Sequence, residues 1–183
     1  GAGDVNGDGF DDLVVGAPYN DISEDYSTTN EGATYVLFGP LLNSEISLAD
    51  ADLKVTGEAE GDNAGYSVAP VGDVSNDGID DLIIGAPEES TAGSGAGAAY
   101  ILFGPLTSGE LSLADADLKL TGEAEGDNAG WSVAGAEDVN GDGIDDLVVG
   151  VPYEDAAGMD AGAVYVLYGP LLTSELSLSD ADL

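Results

Sequence analysis

The phrase DVNGDGFDDLVVGAP occupies residues 4–18, DVSNDGIDDLIIGAP occupies 73–87, and DVNGDGIDDLVVGVP occupies 138–152. Each begins as a loop of carboxylates, amides and glycines and runs straight into a short apolar stretch closed by proline. An apolar run bounded by Gly, Pro and Asp reads as a β-strand. Because the run is continuous rather than alternating, both of its faces should be covered. Three copies of so particular a phrase make internal repetition the first property to settle.

The repetition extends well beyond these loops. GEAEGDNAGYSVA (57–69) returns as GEAEGDNAGWSVA (122–134), and ATYVLFGPL (33–41) returns as AAYILFGPL (98–106) and AVYVLYGPL (163–171). ISLADADLKVTGE (46–58) matches LSLADADLKLTGE (111–123), and LSLSDADL (176–183) opens the same phrase. The offset is 65 residues except between the first two acidic loops, where it is 69. Four additional residues in NDISEDYSTTNEG (20–32) account for the difference. An insertion is best tolerated in an exposed loop, so that segment is expected to be one.

Within a unit, YSVA (66–69), DLIIGA (81–86), AAYILF (98–103) and DLKLTG (117–122) read as four successive strands. In the fourth, alternation points Leu118 and Leu120 inward and Lys119 and Thr121 outward. The LADAD stretch reads as a turn or a single helical turn. Four antiparallel strands per repeat is the pattern of a β-propeller blade. A β-solenoid is the rival, but its repeats are much shorter. The expected fold is therefore all-β, with blades over residues 1–57, 58–122 and 123–183. The first lacks its opening strand and the last its fourth. Three blades do not close a ring, since propellers use roughly 4 to 8. A segment of a longer array is expected, or copies that complete one another's blades by strand exchange.

Composition narrows function. Lys54 and Lys119 are the only basic residues against 37 acids, for a formal net charge of −35. Nucleic acid is excluded as a partner, because phosphate contacts need Lys and Arg. Anionic membrane surfaces are excluded for the same reason. What can relieve the self-repulsion is bound divalent cation or screening salt. With no cysteine there is no disulfide framework. No apolar run approaches the roughly 20 residues that cross a bilayer, so no direct membrane insertion is expected.

Calcium binds six to eight oxygens, and alternate side chains of a tightly turning loop can converge on one point. The first loop offers Asp4, Asn6, Asp8, the carbonyl of Phe10, and Asp12. The second offers Asp73, Ser75, Asp77, the carbonyl of Ile79, and Asp81. The third offers Asp138, Asn140, Asp142, the carbonyl of Ile144, and Asp146. One calcium per loop is expected, with the Ser75 site the weakest. Magnesium is the lesser candidate because it prefers to keep its waters. An EF-hand would need a bidentate Glu at loop position twelve, where Val15, Ile84 and Val149 stand. The carboxylate at position nine is expected to close the cage instead. Asp11, Asp80 and Asp145 at position eight should face outward or support the ligands from behind. The bland alternative is that Asp, Asn and Gly simply make good turns. Three copies that keep acids at positions one, five and nine argue against it.

The D-x-[NS]-x-D-G-x-x-D loops followed by DLVVGAP, DLIIGAP and DLVVGVP resemble the FG-GAP repeat family. That family comprises the blades of the integrin α-subunit propeller and its bacterial and archaeal relatives. The likeness covers nearly the whole chain, and it implies that the calcium loop joins the first and second strands of a blade. The family's FG dipeptide is replaced by Ala64-Gly65-Tyr66 and Ala129-Gly130-Trp131, so Tyr66 and Trp131 are expected to supply the packing of the missing Phe. GAP becomes Gly150-Val151-Pro152 in the last unit.

The resemblance implies an extracellular or cell-surface, calcium-stabilised module for adhesion or recognition, with a protein or carbohydrate ligand. A structural fibre or layer built from copies of itself is a second reading, and an accessory domain of a secreted polysaccharide-active enzyme a third. Catalysis within the chain is not expected. It has no His and no Cys, its Ser residues have no evident base, and its paired acids are better explained as metal ligands. Tyr19 and Tyr153 are expected to cap blade edges, and Tyr35, Tyr100, Tyr165 and Tyr168 to pack within third strands.

Overall fold

The computed structural model describes residues 1–20, 30–42 and 45–183. The expected loop at 20–32 lies outside the described residues, apart from Asn20 and 30–32. Twelve strands follow in chain order among the described residues. They are β1 (Leu13–Ala17), β2 (Ala33–Leu37), β3 (Leu53–Thr56), β4 (Ser67–Gly72), β5 (Asp81–Ala86) and β6 (Ala98–Leu102). Then come β7 (Gly109–Ser112), β8 (Leu118–Thr121), β9 (Ser132–Glu137), β10 (Asp146–Val151), β11 (Ala163–Leu167) and β12 (Glu175–Ser177).

The middle unit is the four-stranded antiparallel meander that the repeat predicts, β4-β5-β6-β8. Ile83 faces Ile101 across β5 and β6, and Ile101 faces Leu118 across β6 and β8. The first unit contributes β1-β2-β3 and the third β9-β10-β11. Each LAD or LSD stretch is one 3₁₀ turn, capped by Ser47, Ser112 or Ser177 accepting from the backbone N–H two residues on.

Two pairings were not legible in the repeat. β7 runs parallel to β3, Leu53 opposite Gly109 through Thr56 opposite Ser112. β12 runs parallel to β8 in the same manner, Glu175 opposite Lys119. Each is a short segment of one unit laid along the outer strand of the unit before it. It satisfies backbone groups that an edge would otherwise expose.

The blades bury each other. All six residues of β5 are buried. Leu82, Ile84, Tyr100 and Leu102 pack on one side with Val5, Val36, Leu53 and Val55 of the first unit. Ile83, Ile101, Leu118 and Leu120 pack on the other with Leu147, Val149, Leu167 and Leu178 of the third. Alternation along each strand therefore sends consecutive residues into two different cores. Two details differ from expectation: Thr121 is buried, and Tyr168 lies just beyond β11, where its N–H donates to Asp182 Oδ2 at 2.9 Å.

Truncating Ile101, which is fully buried between the second and third units, should leave a cavity. Ile101→Ala is expected to cost about 2–5 kcal/mol, whereas Val164→Ala, at a side chain 65% exposed, should stay within about 0.5 kcal/mol. Urea denaturation midpoints of the two variants check this.

Candidate functional site

The acidic loops join β4 to β5 and β9 to β10, and the first loop enters β1 in the same way. Their hydrogen bonding is nearly superimposable. Asp4 accepts from the N–H groups of Asp8 and Gly9 at 3.0 and 2.9 Å. Asp73 accepts from Asp77 and Gly78, both at 2.8 Å. Asp138 accepts from Asp142 and Gly143 at 3.0 and 2.8 Å. Asp8, Asp77 and Asp142 each then accept from the N–H two residues on, at Phe10, Ile79 and Ile144. Asn6 and Asn140 accept from Asp8 and Asp142, each at 2.8 Å. In the second loop Ser75 instead points its hydroxyl at Asp73 Oδ1, 3.3 Å away. These are Asx-type turns, which hold side-chain oxygens on the inside of the loop. Gly9, Gly78 and Gly143 sit at φ of 92°, 94° and 90°, which turns the chain at the fifth-to-seventh positions.

Asp12, Asp81 and Asp146 at position nine are buried. One oxygen of each accepts from the loop, at Val5, Ser75 and Val139. The other accepts from Gly39, Gly104 and Gly169 at 2.8, 2.9 and 3.0 Å. The ninth carboxylate thus clamps its loop to the Gly-Pro turn after the third strand of the same unit. An ionised carboxylate has about four lone-pair sites, so this duty leaves capacity for a cation.

Burial, with the negative charges of Asp77 and Asp73 beside it, pushes Asp81 up to about 6. Asp12 is raised for the same reasons, by burial and then by Asp8 and Asp4. Acids are therefore held together against their own repulsion. Among the described residues, no group of three or more metal-ligating side chains has closed up by itself. The donor set nonetheless fits a hard cation: only oxygens, three of them from carboxylates in each loop, on a preshaped turn. The named side chains and the carbonyls of Phe10, Ile79 and Ile144 would hold it.

The acids at position eight do more than face outward. Asp80 Oδ2 accepts the N–H of Asp4 at 2.9 Å, and Asp145 Oδ2 accepts that of Asp73 at 2.9 Å. Each carboxylate reaches from one unit into the preceding unit's loop. The slot it enters is shaped by Gly3 and Gly72, at φ of 73° and 68°. A Cβ there would lie 2.2 Å from Asp80 Oδ2 or 2.1 Å from Asp145 Oδ2. The corresponding residue in the third unit is Glu137, also left-handed at φ 54°. Asp11 is exposed.

A second constellation was missed by reading β8 as simply half outward. Lys119 Nζ lies 2.7 Å from Glu58 Oε2 and 3.2 Å from Glu89 Oε1. Tyr100 donates its hydroxyl to Glu58 at 2.7 Å. Burial works to lower Lys119, yet Glu58 and Glu89 hold it above the usual lysine range. Asp62 beside them is pushed up to about 6 by burial and by Glu89 and Glu58. In the third unit Tyr165 donates to Glu123 at 2.6 Å in the same arrangement. The recurrence of Glu58 and Glu123 in GEAEGDNAG was the signal available.

Tyr66, half-buried, and Trp131, exposed, meet at a 50° tilt with ring centroids 4.7 Å apart, and neither joins a core. Tyr153 meets Trp131 edge-on at 6.1 Å, consistent with a capping role there. Tyr19 is exposed. Tyr100 is fully buried, as expected of a packing residue.

Gly72→Ala should cost at least about 1–2 kcal/mol through its left-handed backbone, while Glu137→Gly should gain about 0.5–1 kcal/mol by relieving the same strain; denaturant midpoints report both. Asp62 binds its proton more tightly folded than unfolded. Between pH 4 and 6 the native state therefore holds more protons than the unfolded one, and stability falls as pH rises through that window. Asp62→Asn keeps an acceptor for Ala59 N–H and should remove that part of the pH dependence, read from thermal melts across pH 4 to 8.

An FG-GAP repeat model matches residues 1–37, 64–102 and 129–167, which in the second and third units run from just before the first strand to the end of the third. Phosphatidylinositol-glycan-specific phospholipase D of Bos taurus is 34% identical over 176 residues, covering 90% of this chain and 19% of that protein. Integrin alpha-IIb of Mus musculus is 34% identical over 163 residues, 88% of this chain and 15% of its own. Integrin alpha-5 of Xenopus laevis is 33% identical over 181 residues, 97% and 16% respectively. The chain thus spans less than a fifth of the length of these relatives.

Proposed function

Since the chain belongs to the FG-GAP repeat family, we propose that it is a calcium-stabilised, extracellular β-propeller segment that serves recognition or adhesion and carries no catalytic centre of its own. The observation that carries the calcium reading is the common wiring of three acidic loops, each gathering three carboxylates with neutral oxygens on an inward turn in a chain with only two lysines. Asp4, Asn6, Asp8, Asp12 and the Phe10 carbonyl would hold the first ion, and the matching residues of the other loops the second and third. Bound calcium would favour the ionised form of Asp12 and Asp81, which burial first and neighbouring acids second disfavour. The ion is structural in this reading, because the loop's own oxygens supply most of its shell.

The recognition reading is supported by the integrin alpha relatives and by the exposed Trp131 and Tyr153, which pack edge-on beside the half-buried Tyr66. A net charge of −35 favours a neutral or cationic protein or carbohydrate partner. No helix among the described residues is long and apolar enough to cross a membrane. A second reading, an accessory domain of a secreted enzyme, is favoured by the phospholipase D relative.

Calorimetric titration with calcium should show about three sites with dissociation constants near 10⁻⁴ to 10⁻³ M. At a hundredfold excess over such a constant, each site adds about 2.7 kcal/mol to stability. Chelation should therefore lower the melting temperature markedly, and Asp8→Ala, Asp77→Ala and Asp142→Ala should each delete one site. A melt indifferent to verified metal removal would sink the structural role.

A further inference from the structure

We infer that the cation loops are coupled from unit to unit through the position-eight carboxylates, so that an ion in the second loop tightens the first through Asp80, and an ion in the third tightens the second through Asp145. The inference rests on the calcium reading above and deepens it.

Asp80 stands between Ile79, whose carbonyl is a candidate ligand, and Asp81, whose carboxylate is another. An ion held by both neighbours fixes the backbone of Asp80. Its side chain leaves that loop altogether and accepts the N–H of Asp4 at 2.9 Å, the residue that presents the first candidate ligand of the preceding loop. The Asp4 carboxylate in turn organises its loop by accepting from Asp8 and Gly9. A single hydrogen bond thus links the ordered part of one site to the leading ligand of the next. Asp145 and Asp73 repeat the link at 2.9 Å.

The slots show that the contact is built into the chain. Gly3 and Gly72 are the residues just before Asp4 and Asp73, and a side chain on either would occupy the incoming carboxylate's position. Glu137 fills that place before Asp138, so the third loop lacks the glycine slot that admits a carboxylate. Asp4 and Asp73, whose N–H groups the incoming carboxylates engage, are half-buried. Coupling of this kind is reciprocal in binding free energy.

The test is a calcium titration of ¹⁵N-labelled protein, with the amides of Gly9, Gly78 and Gly143 reporting the three loops separately. Asp77→Ala, which removes a ligand from the second loop, should weaken the first loop by about fivefold or more, the lower end of ordinary coupling. The same change made in an Asp80→Ala background should leave the Gly9 titration unaltered, as in a double-mutant cycle. Asp80→Asn, which keeps an acceptor for Asp4 N–H, should restore the coupling and guards against misfolding of the alanine variant. Asp11→Ala, which removes the same charge from an undocked position, should have no effect on the coupling. In the wild type, exchange of the Asp4 amide should slow when calcium is added. If Asp77→Ala shifts the Gly9 titration equally with and without Asp80, or not at all, the coupling is overturned while calcium binding stands. If none of the three glycine amides responds to calcium, the calcium reading falls and the coupling with it.

Discussion

A sheet whose strands are apolar on both faces has no stable state alone. β5 is buried along its whole length because Leu82 and Ile84 face one neighbouring blade while Ile83 faces the other. Burying an aliphatic side chain contributes about 1.5–3 kcal/mol, and here that contribution exists only when blades are stacked. The repeat is therefore the unit of sequence but not the unit of stability. Close approach follows from the same constraint. Gly16 and Gly85 lie where the next unit's Gly65 and Gly130 carbonyls come within 2.1 and 2.0 Å of a would-be Cβ, so the glycine of each Gly-Ala-Pro phrase is an inter-blade contact.

Stacking brings together loops that repel. Every unit adds a cluster of acids at the same end of its second strand, and the chain has only two lysines with which to answer them. Both lie on fourth strands, at Lys54 and Lys119, away from the loops. Lys119 is absorbed by Glu58 and Glu89. Backbone N–H groups do part of the work instead: Asp4, Asp12 and Asp80 accept from main chain, as do Asp73, Asp81, Asp138, Asp145 and Asp146. Hydrogen bonds to an ionised carboxylate are stronger than neutral ones, yet burial, with Asp77 and Asp73 beside it, still raises Asp81 to about 6. The remaining charge is what a divalent ion is suited to meet.

The strands and their order were legible because burial on two faces writes itself as unbroken apolar runs such as LIIGA, and because turns write themselves as Gly, Pro and Asp. The short parallel strands at Gly109–Ser112 and Glu175–Ser177 were not, since ELS carries too little pattern to outweigh its polarity. What makes them strands is an available edge on the previous blade, a tertiary fact. The acidic loops were legible as a set, and their internal turns follow from residue type. The destination of Asp80 and Asp145 was hidden, because nothing local distinguishes a carboxylate that faces water from one that enters a neighbour's slot. Lys119 was misread for a related reason: alternation says which face a side chain occupies, not what waits there.

Glycine usage shows how these levels connect. At residue 72 the chain needs a left-handed backbone for the β-bulge that ends β4, and it needs room for Asp145; glycine meets both demands. At residue 137 the same bulge recurs with the same backbone sign, but the residue is glutamate. Bulge geometry alone therefore does not dictate glycine, since a strained non-glycine residue is tolerated there at modest cost. The docked carboxylate is the demand that glutamate cannot meet. Glycine at 3 and 72 is consequently a mark of blade-to-blade contact.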